Sequence, residues 1–131
     1  MIGLDTNILV RYFAQDDPAQ AHAATAIVEE RLTEQNPGFI STVVMAETVW
    51  VLDRVYRLND TSIATIIERM LQADVFVIDS EQQVFSAMIA LKEGLGSFAD
   101  ALIAALAAEA GCSVTLTFDR KALRLPGFGV A

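Results

Sequence analysis

The chain has 131 residues, a length that predicts one domain over residues 1–131, able to bury about two thirds of the surface its unfolded form exposes. Its one cysteine, Cys112, excludes an internal disulfide, and the first residues lack the charged, apolar and cleavable pattern of a signal peptide, so a reducing cytoplasm is expected. A net charge of −8 argues against sequence-independent duplex binding by the bulk surface; the longest apolar run, 101–108, is far short of the about 20 residues that span a bilayer, so no membrane association is expected.

Ile2 to Leu4 reads as a short strand, with Asp5, Thr6 and Asn7 directly after it and Ile8, Leu9, Tyr12 and Phe13 at helical spacing beyond. In an open α/β sheet, ligands bind outside the carboxyl ends of the strands, so Asp5 stands where chemistry can reach it. Asp17, Pro18 and Gln20 predict the N-cap, first turn and capping box of a helix running to about Glu34. Asn36, Pro37 and Gly38 mark a turn, Phe39 to Ser41 a second strand, and Ser41 or Thr42 the cap of a helix over about 43–58. Asn59, Asp60 and Thr61 stop and restart the chain before Ile63, Ile66, Ile67, Met70 and Leu71, an amphipathic stripe.

Val75 to Ile78 predicts a third strand, and Ser80 with Gln83 the capping box of a helix through Leu91, interrupted by Gly94 and Gly96. Phe98 to Ala110 is a helix apolar enough to be buried on most sides, closed by Gly111. Val114 to Thr117 is a fourth strand; Asp119, a short basic turn and a tail too brief for more than an edge strand follow. Strands alternating with helices predict an α/β fold with a parallel sheet and right-handed crossovers.

Most of the seventeen acidic residues sit among polar neighbours, but Asp5, Glu47, Asp100 and Asp119 interrupt apolar or element-end positions. Glu47 has Val43, Val44, Trp50 and Val51 at its helical neighbour positions, and a carboxylate on such a surface costs several kcal/mol unless it is paired, hydrogen-bonded or metal-bound. A buried salt bridge to Arg54 is one account of it; capping is a sufficient account of each aspartate taken alone. Jointly placed at one sheet edge, four carboxylates raise one another's pKa unless a divalent cation compensates them. Oxygen donors without His or Cys select Mg²⁺ or Mn²⁺, and the only histidine, His22, is expected on a helix surface. Such carboxylate-held metals suit phosphodiester hydrolysis.

Asp5-Thr6-Asn7 after the first strand, Glu47 in the helix after the second, Ser97-Phe98-Ala99-Asp100 with Ala101 to Ala104, and Thr117-Phe118-Asp119 together resemble a PIN-domain nuclease. The chain's size and closing Pro126-Gly127 are most similar to the VapC-type toxins of bacterial toxin–antitoxin pairs. The resemblance implies a three-layer α/β/α fold with a central, mostly parallel sheet of about five strands, a homodimer, and a Mg²⁺- or Mn²⁺-dependent endoribonuclease that blocks translation. It implies that Asp5, Asp100 and Asp119 are metal-binding aspartates, that Glu47 acts on the metal or its water, and that Thr6, Asn7 and Thr117 orient these carboxylates. It also implies a VapB-like antitoxin that binds operator DNA and covers the acidic site; an apolar share of 53% fits a partner-covered surface. Arg120, Lys121 and Arg124, with Arg11, are the expected RNA phosphate contacts. Two other readings are an aspartate-nucleophile phosphotransferase of the haloacid-dehalogenase type, whose second aspartate is missing after Asp5, and a non-catalytic binding module of the same fold.

Overall fold

Polar caps and turn residues cut the chain into five short strands and six helices in the structure, a computed structural model that describes residues 1–131. Strand β1 (Ile2–Gly3) leads into α1 (Thr6–Ala14), whose N-cap Asp5 accepts the Thr6 N–H at 2.7 Å. Asp17 accepts the Gln20 N–H at 3.0 Å and Pro18 opens α2 (Pro18–Ala26), as its cap sequence predicts. This helix does not reach Glu34. It widens into a π-helical turn over Ile27–Arg31 and stops at Leu32, which goes extended and buries its side chain. A Cβ at Gly38 would lie 2.6 Å from a methyl of Leu4 and 2.9 Å from one of Leu32, so any larger residue there would have to displace these buried side chains.

Strand β2 (Gly38–Ile40) pairs in parallel with β1 and with β3 (Phe76–Ile78), Ile2 lying opposite Gly38 and Ile40 opposite Ile78. Between β2 and β3 run α3 (Thr42–Arg54), capped by the Ser41 hydroxyl accepting the Val44 N–H at 3.2 Å, and α4 (Asp60–Gln72). The predicted α4 stripe is real, with Ile63, Ile67 and Met70 buried. α3 ends short of Leu58, and Arg57 takes a left-handed conformation at φ 55° in the turn that follows.

The chain forms two compact units. The first, Met1–Asn59 with Arg69–Asp79, holds the sheet β1-β2-β3, with α1 packed on α2 and α3 around Leu9, Ile40, Met45 and Leu52. The second, Asp60–Glu68 with Ser80–Ala131, holds α5 (Glu81–Lys92) packed along α6 (Phe98–Glu109), a 3-10 turn at Ala122–Arg124, and the parallel pair β4 (Thr115–Thr117) and β5 (Phe128–Val130). Val84, Met88, Phe98, Leu102 and Leu125 are buried there.

Three expectations change. The strands form hydrogen-bonded sets of three and two instead of one ladder of about five, each offering only two or three residues for pairing. Ser80 does not cap α5: it sits at φ 55°, whereas a capping side chain reaches the first-turn N–H groups from an extended backbone, and Gln83 instead donates to Glu109 at 3.1 Å. Helix α6 is buried on one side and not on most, because its small alanines pack one face on α5 and leave Ile103 51% exposed. No helix is long and apolar enough to cross a membrane.

Candidate active site

A buried hydroxyl must find a partner. Thr6 is buried at the start of α1, and its hydroxyl donates to Glu47 Oε1 on α3 in a short hydrogen bond, while its backbone N–H donates to Asp5 Oδ1. One residue therefore ties together two of the four predicted acids. Each carboxylate keeps its other oxygen without a protein partner. The two acids open onto a cleft of about 320 Å³ that Asn7, Arg11 and Tyr56 also line, with Val10, Val51 and Val55 as its apolar part.

Glu47 is exposed, and the buried bridge to Arg54 does not exist: Arg54 lies 3.5 Å from its neighbour Asp53. The apolar residues around Glu47 misled because Val43 and Trp50 are themselves 75% and 57% exposed. Apolar neighbours on this helix mark an uncovered face.

Three side chains hold Arg11. Its Nε donates to Gln20 Oε1 at 2.6 Å, and its Nη1 donates to Tyr56 Oη at 2.8 Å and pairs with Asp16 Oδ1 at 3.1 Å. The Tyr56 hydroxyl in turn donates to Asp16 Oδ2 at 2.8 Å. Partial burial alone would lower the Arg11 pKa, but Tyr56 and Asp16 outweigh it and raise it. The bond from Tyr56 holds the Asp16 carboxyl below the usual carboxylate range and pushes the phenol up. Asp16 and Tyr56 have no counterpart in the sequence prediction, and Gln20, expected to complete the capping box of α2, gives its side-chain oxygen to Arg11 instead. Only the one-turn spacing of Asp16 and Gln20 was visible locally; Tyr56 lies 45 residues from Arg11.

Asp100 and Asp119 belong to the second unit, Asp100 in the first turn of α6 and Asp119 in the loop after β4. The Ser97 hydroxyl accepts the Asp100 N–H at 3.1 Å, capping α6. Thr117 accepts the Asp119 N–H at 3.0 Å, so the threonine fixes the aspartate's backbone, and Asp119 Oδ1 accepts the Lys121 N–H at 2.9 Å. Arg120 and Lys121 are exposed, and the Arg124 guanidinium reaches the Gly94 carbonyl at 3.3 Å. His22 is exposed on α2, as expected.

No group of three or more Asp, Glu, His or Cys side chains lies close enough to hold a metal ion by itself. The donors at the cleft nevertheless suit one kind of ion. Mg²⁺ keeps several waters and is commonly held through one or two carboxylates together with substrate phosphate, and Asp5 and Glu47 offer oxygen donors with no sulfur or imidazole among the cleft residues. The cleft residues thus fit a hard divalent cation. In comparison with known proteins, the PIN domain family profile matches residues 2–127. Neither the curated proteins nor the solved structures contain a significant match.

Proposed function

Because the chain belongs to the PIN domain family, whose members are commonly metal-dependent nucleases, we propose that it is a metal-dependent endoribonuclease acting as the VapC-type toxin of a toxin–antitoxin pair. The observation that carries this reading is the pairing of Asp5 and Glu47 through one buried threonine beside a cleft of mixed polar and apolar lining. In this reading residues 1–131 act as one cytoplasmic PIN domain, a homodimer, with Asp5 and Glu47 holding Mg²⁺ or Mn²⁺ together with substrate phosphate. The ion, when bound, supplies positive charge at the phosphodiester and lowers the pKa of water.

The chain's own groups supply the rest. Asp5 Oδ2 and Glu47 Oε2, which have no protein donor, would hold the ion or accept from its water, and Thr6 links the two carboxylates. Asn7 offers an amide to the same cleft, and Thr117 holds the backbone at Asp119. Arg120, Lys121 and Arg124 contact RNA phosphates locally, as an acidic protein requires. The VapB-like antitoxin covers apolar surface and blocks the acids, while operator DNA is reached only through it; the exposed Val43, Trp50 and Val55 on and just after α3 supply such surface.

Induced expression in bacteria tests the reading. Growth should stop with fragmentation of RNA, Asp5→Asn should abolish both effects, and co-expression of the product of a short adjacent reading frame should restore growth. A harmless wild-type chain that leaves RNA intact would favour the non-catalytic binding module.

A further inference from the structure

Arg11 sits on α1 six residues beyond Asp5 and lines the same cleft, yet its ion pair is with Asp16. Three side chains fix the guanidinium: Gln20 takes Nε, and Asp16 and Tyr56 share Nη1. Nη2 is left without a hydrogen-bond partner. A guanidinium so held has already lost the rotamer freedom that a surface arginine gives up on binding, and its planar fork can serve a carboxylate on one side and a phosphate on the other. Beside it stand the Tyr56 ring, Val51 and Val55, a partly apolar surface of the kind a base or ribose covers.

We propose that Arg11 and Tyr56 form a nucleotide subsite of the acidic cleft, in which Arg11 Nη2 binds a phosphate of single-stranded RNA flanking the cleaved bond and the Tyr56 hydroxyl positions Arg11. The subsite rests on the nuclease reading for its substrate class, but binding and cleavage are measured separately. Tyr56 acts through Arg11 and is a positioning residue; Arg11 touches the substrate. The subsite gives a chain of net charge −8 a fixed cation at the place where the substrate backbone must approach two carboxylates.

The experiment is fluorescence anisotropy of a labelled single-stranded oligoribonucleotide in EDTA over a range of salt, with Mg²⁺-dependent cleavage run in parallel on the same preparations. Wild type should bind. Arg11→Gln and Arg11→Ala should weaken binding about tenfold and reduce the salt slope by about 0.7, the change for one phosphate contact to a single strand. Tyr56→Phe should weaken binding by a smaller factor and, in cleavage, raise KM while leaving kcat near wild type. Arg11→Lys should not restore binding, since an ammonium cannot serve both partners as a fork.

A merely structural network would lower the thermal midpoint of Tyr56→Phe and leave KM and the salt slope of the folded variant unchanged, which overturns the subsite. Absence of oligonucleotide binding by the wild type overturns it too. The binding and salt-slope pattern above without Mg²⁺-dependent cleavage supports the subsite and rejects the nuclease. Cleavage by wild type with full-strength binding by Arg11→Gln does the reverse.

Discussion

Replacing Thr6 by valine removes one hydroxyl while keeping the side-chain volume and β-branching, so helix propensity at the first turn of α1 barely changes. What is lost is the hydrogen bond to Glu47. A hydrogen bond to a charged group contributes about 1.5–3 kcal/mol, but Glu47 is exposed and water replaces its lost donor, which brings the expected cost to about 1 kcal/mol. For a chain of this length that is a fall of about 3–6 °C in thermal midpoint, read by circular dichroism. Activity should fall much further. Groups that orient metal-binding carboxylates typically control affinity or rate by about 10–100-fold, because the free carboxylate rotates away from its productive position. Thr6→Ser, which keeps the hydroxyl, should recover most of the cleavage rate. The reasoning fails if Thr6→Val loses stability but cleaves RNA as fast as wild type, or if Thr6→Ser and Thr6→Val are equally impaired.

The caps give a paired prediction: Ser97→Ala should cost about 1 kcal/mol in chemical denaturation because its hydroxyl caps α6, while Ser80→Ala, which loses no capping bond, should cost little. The Asp16–Tyr56 bond predicts the shape of the pH–stability curve. Asp16 is depressed, so its contribution is complete above the ordinary carboxylate range and is lost as pH falls through its folded value; Asp16→Asn should flatten that acid limb. Tyr56 is raised by its bond to Asp16, so its contribution is complete below the ordinary phenol value of 10.0 and is lost as pH rises through the folded value. Tyr56→Phe should flatten the alkaline limb, leaving the part due to Tyr12, which burial and Glu29 also raise. In the second unit, Phe98→Ala empties a fully buried ring position and should cost about 3–5 kcal/mol, visible as a large loss of thermal midpoint.

The parts of this protein readable from sequence were those governed by neighbours a few residues apart. Asp17, Ser41 and Ser97 cap the helices they precede, and Ile63, Ile67 and Met70 bury one stripe, because caps and helical periodicity are local. Ser80 looked the same as Ser97 and failed, because its backbone is left-handed where a capping residue is extended. The site divides likewise. Asp5 beside Thr6 was legible from strand, acid and helix in succession, whereas the bond from Thr6 to Glu47 joins residues 41 apart, and the partners of Arg11 come from three segments. Glu47 was singled out for a sound reason, an acid amid apolar residues, but two of them, Val43 and Trp50, face outward, and no local pattern distinguishes an apolar residue that packs inside from one left for a partner.

If Asp5 and Glu47 serve metal-dependent hydrolysis of RNA, cleavage of single-stranded RNA by the purified chain should rise as Mg²⁺ or Mn²⁺ is titrated and stop with chelator, and Asp5→Asn and Glu47→Gln should fold with wild-type circular dichroism yet cleave at least about 100-fold more slowly. A folded wild type without metal-dependent cleavage, or variants that cut as the wild type does, would contradict that role.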